Sequence, residues 1–72
     1  MNIQLVSCGA KRPDKRAIAK TIEEISTLDA GTAREFTEYL LEGSEIDIEI
    51  PGNTSSAFRS LRKLEIDYEI LD

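Results

Sequence analysis

The sequence predicts a two-layer α+β domain of order β-α-α-β-α-β, with three helices on one face of a small three-stranded sheet. Three observations carry this. Glu45-Ile46-Asp47-Ile48-Glu49-Ile50 and Glu65-Ile66-Asp67-Tyr68-Glu69-Ile70 alternate acidic and apolar residues, as strands with one buried face do. Three other stretches set apolar residues at helical spacing. No strand-like run is apolar on both faces, which argues against a doubly wound parallel sheet. One antiparallel or mixed sheet beneath a single helix layer satisfies every apolar stripe.

The elements follow in order. Ile3 and Leu5 alternate with Asn2 and Gln4, Val6 follows, and Ser7-Cys8-Gly9-Ala10 ends this first strand. Pro13 suits the first turn of a helix running from about Pro13 to Ser26, with Asp14 against its positive terminus. Ile18, Ile22 and Ile25, with Ala17 and Thr21 beside them, form its inner face. Leu28 anchors the connection. Asp29 caps a second helix that places Ala33, Phe36 and Leu40 inward and Tyr39 at the margin, and Gly43 stops it. After the strand from Glu45 to Ile50, Pro51-Gly52 signals a turn. Asn53 or Thr54 caps a third helix with Ala57 or Phe58, Leu61 and Leu64 inward. Ile66, Tyr68 and Ile70 make the last strand.

A chain of 72 residues holds one domain, spanning residues 1–72. Its 40% hydrophobic and 32% charged content is a globular balance. The single cysteine excludes an internal disulfide and points to a reducing cytoplasm. No apolar run is long enough to span a bilayer, so no membrane partner is expected. The sequence shows no secretion signal. Met1 leads directly into a strand-like stretch, which predicts a complete short gene product.

The net charge of −5 is unevenly spread. Residues 1–22 carry Lys11, Arg12, Lys15, Arg16 and Lys20 against Asp14, a net of +4; the remainder carries four basic and thirteen acidic residues, a net of −9. An acidic whole with one basic face argues against general nucleic-acid affinity, which needs broad phosphate neutralisation. It suits docking on an acidic protein surface. The candidate partner-binding residues are Lys15, Arg16 and Lys20 of the first helix and Arg34 of the second.

Catalytic chemistry finds little support. Lys11, Arg12 and a helix start could activate Cys8, but the chain has no histidine and no second cysteine to act with it. Gly9 before the basic residues lacks the further glycines of phosphate-binding loops, and Pro13 removes a backbone donor. Glu45, Asp47 and Glu49 read as a solvated ladder rather than a metal site, as do Glu65, Asp67 and Glu69. If these two strands were neighbours their acids would repel unless Arg59, Arg62 or Lys63 intervened. No carboxylate lies in an apolar run that would raise its pKa for acid–base work. A non-enzyme without cofactor or metal is expected.

Several residues carry a family resemblance over nearly the whole chain. An opening strand ends in Gly9-Ala10. A basic-apolar helix follows in Lys15-Arg16-Ala17-Ile18-Ala19-Lys20. Ile22, Thr27-Leu28 and Ala33-Arg34-Glu35 come next, and the chain closes with a helix and Asp67-Tyr68-Glu69-Ile70. In this the chain resembles the C-terminal domain of the bacterial ribosomal stalk protein, whose fold is shared with the adaptor of the Clp protease. The resemblance implies that the first two helices form a hairpin whose basic and apolar surface recruits proteins, translational GTPases in the stalk. Lys15, Lys20 and Arg34 match the family's basic positions. Arg16 and Ala19 replace apolar contacts and Glu23 replaces an arginine, so the docking face would be kept while the partner has changed.

The sequence also departs from the family. Residues 11–14 are a short insertion, and the turn glycine is absent at Thr27. The glycine before the last strand is absent, with Glu65 near its place. The middle strand is longer and more regular. The stalk protein's dimerisation domain and hinge are not part of this sequence.

The leading expectation is a cytoplasmic protein-binding module or adaptor, with a partner in translation or proteolysis, docking through the basic hairpin. The alternative is a stand-alone acidic inhibitor or regulator, of phage or mobile-element origin, that binds through its acidic strands. The third is a nucleic-acid-binding domain, disfavoured by the lack of aromatic residues near the basic helix.

Overall fold

The computed structural model describes residues 1–71. The elements are β1 (Asn2–Cys8), α1 (Lys15–Ile25), α2 (Ala30–Leu41), β2 (Ile46–Glu49), α3 (Thr54–Lys63) and β3 (Ile66–Ile70). The sheet order is β2-β1-β3, and both pairs are antiparallel. The element order β-α-α-β-α-β expected from the sequence is the one observed, and the structure adds the strand order, which puts β1 in the centre.

Register follows from the alternation. Ile3 faces Ile48 and Ile70 across the two ladders, and Leu5 faces Ile46 and Tyr68. The inward side chains of β1 and β2 meet the helices, and Ile3, Leu5, Ile46 and Ile48 are buried. On β1 the phase slips at Val6, where one extra residue lies opposite β3; beyond it Ser7 faces Asp67 and Cys8 faces Ile66. The ladder with β2 runs on past its last strand residue, since the Ile50 N–H donates to the Met1 carbonyl at 2.8 Å.

Each helix begins on a side chain that accepts a backbone N–H. Asp14 takes that of Ala17 at 3.1 Å, Asp29 that of Thr32 at 2.7 Å, and Asn53 that of Ser56 at 3.1 Å. Each cap contributes about 1 kcal/mol. Asn53, not Thr54, is thus the cap of α3. The first helix also differs from expectation. Asp14 has extended backbone and is the cap itself, so Pro13 lies outside the helix rather than in its first turn. The helix ends at Ile25, where the Ser26 N–H and hydroxyl both donate to the Ile22 carbonyl.

The core is one cluster. Ile18 and Ile22 of α1, Ala33 and Leu40 of α2, and Ala57 and Leu61 of α3 meet Ile3, Leu5, Ile46, Ile48, Ile50 and Ile66. Leu28, Phe36, Phe58, Leu64 and Tyr68 close its margins. Phe58 and Tyr68 stack with ring centroids 4.6 Å apart and planes within 6°. Ile70 keeps the alternation but is 54% exposed, because the strand there passes the edge of the helix layer.

Two chain reversals need left-handed backbone. Gly43 closes α2 at φ 100°, which suits glycine. Glu65, between α3 and β3, stands at φ 59° with a full side chain. Its carbonyl accepts the Gly9 N–H at 2.9 Å, tying the end of β1 to the start of β3.

Candidate functional site

Helix α1 divides its surface by phase. Ile18 and Ile22 point into the core, which turns Lys15, Arg16, Ala19, Lys20 and Glu23 to a shared outer flank at i, i+1, i+4, i+5 and i+8. On α2, Ala33 and Leu40 face inward, and Ala30, Arg34, Thr37 and Glu38 come to the matching flank. The two flanks enclose a groove of about 410 Å³. All four cations singled out from sequence, Lys15, Arg16, Lys20 and Arg34, line it.

The groove exists because its floor is made of short side chains. Ala19 and Thr37, the least exposed residues of the lining, leave space between the helices, while the exposed Lys15, Arg16, Lys20 and Arg34 stand around it. Thr37 is only 1% exposed, and its hydroxyl donates to the Ala33 carbonyl at 2.8 Å. It therefore brings no unsatisfied polar group to the floor. The lining sets four cations against two carboxylates, Glu23 and Glu38. Among the described residues none of the four cations is held by an ion pair or hydrogen bond within the molecule. Such cations keep their donors for a partner.

Sequence reasoning gave the cations but not the floor. The signal for Thr37 was present: it lies four residues after Ala33 and three before Leu40, on the buried stripe. Lys11 and Arg12 are exposed in the loop before α1 and do not line the groove. The loop makes a poor anion cradle too, since the Asp14 carboxylate already stands at the start of α1 and accepts the Ala17 N–H, one of the free donors of its first turn.

The second charged surface lies across the sheet. Asp47 and Glu49 on β2, and Asp67 and Glu69 on β3, are exposed on the face away from the helices. These acidic rows are not neighbours. Asn2, Gln4 and Ser7 of the central strand separate them, and neither Arg59, Arg62 nor Lys63 is needed to do so. The Gln4 amide donates to Asp47 at 3.3 Å and the Ser7 hydroxyl to Asp67 at 3.2 Å. Neutral donors in the middle strand thus relieve the repulsion.

Cys8 is half-buried at the end of β1, with its thiol donating to the Leu64 carbonyl at 3.6 Å. Among the described residues no three acidic or cysteine side chains converge as a metal site, and no helix is long and apolar enough to cross a membrane. Asp29 is the titrating group that the fold visibly shifts. The Thr32 backbone N–H, and then the Thr32 hydroxyl, hold its carboxyl below the usual value of 3.8. Comparison of the chain with protein-family models, curated proteins and solved structures finds no match.

Proposed function

We propose that this chain is a non-catalytic protein-binding module that docks an acidic partner in the groove between α1 and α2. The supporting observation is the gathering of Lys15, Arg16, Lys20 and Arg34 around one groove with no internal counter-charge holding them. Cations on a preformed rim steer an acidic surface and fix its orientation. The small floor residues admit an apolar side chain between them. The best-fitting occupant is an amphipathic segment with acids along one flank, in the manner of a helix laid in a groove. The sequence resemblance to the ribosomal stalk C-terminal domain and the Clp adaptor implies recruitment through the same hairpin, and it supports the reading of a cytoplasmic partner in translation or proteolysis.

Affinity capture with the wild-type chain and with a Lys15→Glu, Lys20→Glu double variant tests this. The reading requires partners that the wild type retains and the variant loses. Identical partner sets would remove it.

A second reading is favoured by one observation, the sharing of an uncovered sheet face by Asp47, Glu49, Asp67 and Glu69. In it the chain is an acidic regulator that covers a basic protein surface. Neutralising Asp47 and Glu49 to Asn and Gln would then weaken binding and leave capture through the groove unchanged.

A further inference from the structure

Among the described residues no strand lies beside the outer edge of β3. The Leu71 N–H donates to the Asn2 carbonyl at 2.9 Å. In an antiparallel ladder this turns the backbone groups of Leu71 and Glu69 toward β1, and those of Tyr68 and Ile70 outward. Among the described residues no hydrogen bond engages those outward groups. Beside them, on the helix side, Ile70 is 54% exposed and Tyr68 half-buried against Phe58. On the other side stand Asp67 and Glu69, both exposed.

The opposite edge differs. Met1 and Ile50 exchange backbone bonds at 3.1 and 2.8 Å, which turns Asp47 and Glu49 of β2 outward. The apolar side chains of β2 are already covered, Ile46 at 6% and Ile48 at 4% exposed. A strand added there would bury nothing further. A strand added to β3 would cover Ile70.

A second copy of this chain does not fit. Any pairing that keeps the apolar faces together sets Asp67 and Glu69 against the same residues of the other copy, or against its Asp47 and Glu49. Like charges directly opposite oppose pairing, as in many protected sheet edges. The same row favours the opposite sign.

We propose that β3 accepts an extended segment of a protein partner, in which apolar residues alternate with lysine or arginine, as a fourth strand of the sheet. Its backbone bonds to the outward groups of Tyr68 and Ile70, and its apolar side chains cover Ile70 and extend the strip beside Tyr68. Its cations stand opposite Asp67 and Glu69, on the face remote from the basic residues of α3. This rests on the acidic-face reading and adds to it a backbone mode and one edge.

The test titrates the full chain with a labelled peptide alternating valine and lysine, followed by fluorescence anisotropy. Three comparisons accompany it: a valine–glutamate peptide, the lysine peptide N-methylated along its bonding edge, and the Ile70→Lys variant, whose exposed site leaves folding intact. Binding of the lysine peptide is expected, with shifts at the Tyr68 and Ile70 amides in NMR spectra of the isotope-labelled chain. Methylation and Ile70→Lys should each weaken it about tenfold, and the glutamate peptide should not bind. Lys15→Glu with Lys20→Glu should leave it unchanged. Equal binding of the methylated peptide would overturn strand addition while sparing the acidic-face reading. No binding of the lysine peptide would overturn both.

Discussion

Replacing Glu65 with glycine should stabilise this protein. Glu65 sits at φ 59°, where a side chain crowds its own backbone at a cost of about 1–2 kcal/mol. Glycine removes that cost but adds freedom to the unfolded chain, an opposing effect of about 0.4–1 kcal/mol. The Glu65 side chain is exposed, and its carbonyl, which accepts from Gly9, is kept by any residue. The central difference is a net gain of about 0.8 kcal/mol, worth roughly 3–6 °C in Tm for a domain of this size. Thermal unfolding followed by far-ultraviolet circular dichroism measures it, with urea unfolding to check that the slope is unchanged. Glu65→Ala separates backbone from charge, since alanine removes the carboxylate but keeps the Cβ; it should give no gain. A lower Tm for the glycine variant, or an equal gain for alanine, would refute the strain argument.

Other variants probe the caps, the core and the groove floor. The Asp29 carboxyl is held below its unfolded value, so its contribution is full above about pH 4 and is lost as pH falls through the lowered folded value. Asp29→Asn keeps the acceptor without the titration, so urea midpoints of this variant should fall less on acidification than those of the wild type. Leu61 is fully buried, and Leu61→Ala should cost about 2–5 kcal/mol, measured as the urea-derived difference. That is a large part of the roughly 4–11 kcal/mol available to a chain of this length. Thr37→Val exchanges the groove-floor hydroxyl, bonded only within its own helix, for a methyl of similar shape. It should change stability by less than about 1 kcal/mol and leave the groove's shape intact.

Local periodicity made most of the fold legible. The strict alternation of Glu45 to Ile50 reports its buried face because each isoleucine had one place to go. The Asp29 cap and the Gly43 stop were legible because their chemistry acts within one helical turn. Pairing was not legible. The central place of β1 depends on contacts far apart in sequence, and so does the separation of the two acidic rows by Asn2, Gln4 and Ser7. Pro13 misled because two adjacent residues compete for a helix start, and the extended backbone of Asp14 decides it. Ile70 misled because alternation reports a strand's faces but not where the covering helices end. Of the groove, Lys15, Arg16, Lys20 and Arg34 were legible as charges at helical spacing. Of the floor, Thr37 carried a signal in its place on the stripe of Ala33 and Leu40, while Ala19 did not, since a small residue matters there for the space it leaves.

The groove is tested most directly by chemical-shift mapping on the isotope-labelled full chain. The probe is an amphipathic peptide carrying glutamate along one flank and leucine along the other. Shifts are expected to concentrate on Lys15 to Glu23 and Ala30 to Glu38, to weaken at high salt and to be lost in the Lys15→Glu, Lys20→Glu, Arg34→Glu variant. Shifts spread elsewhere, or shifts that survive the charge reversal in a folded variant, would contradict docking in the groove.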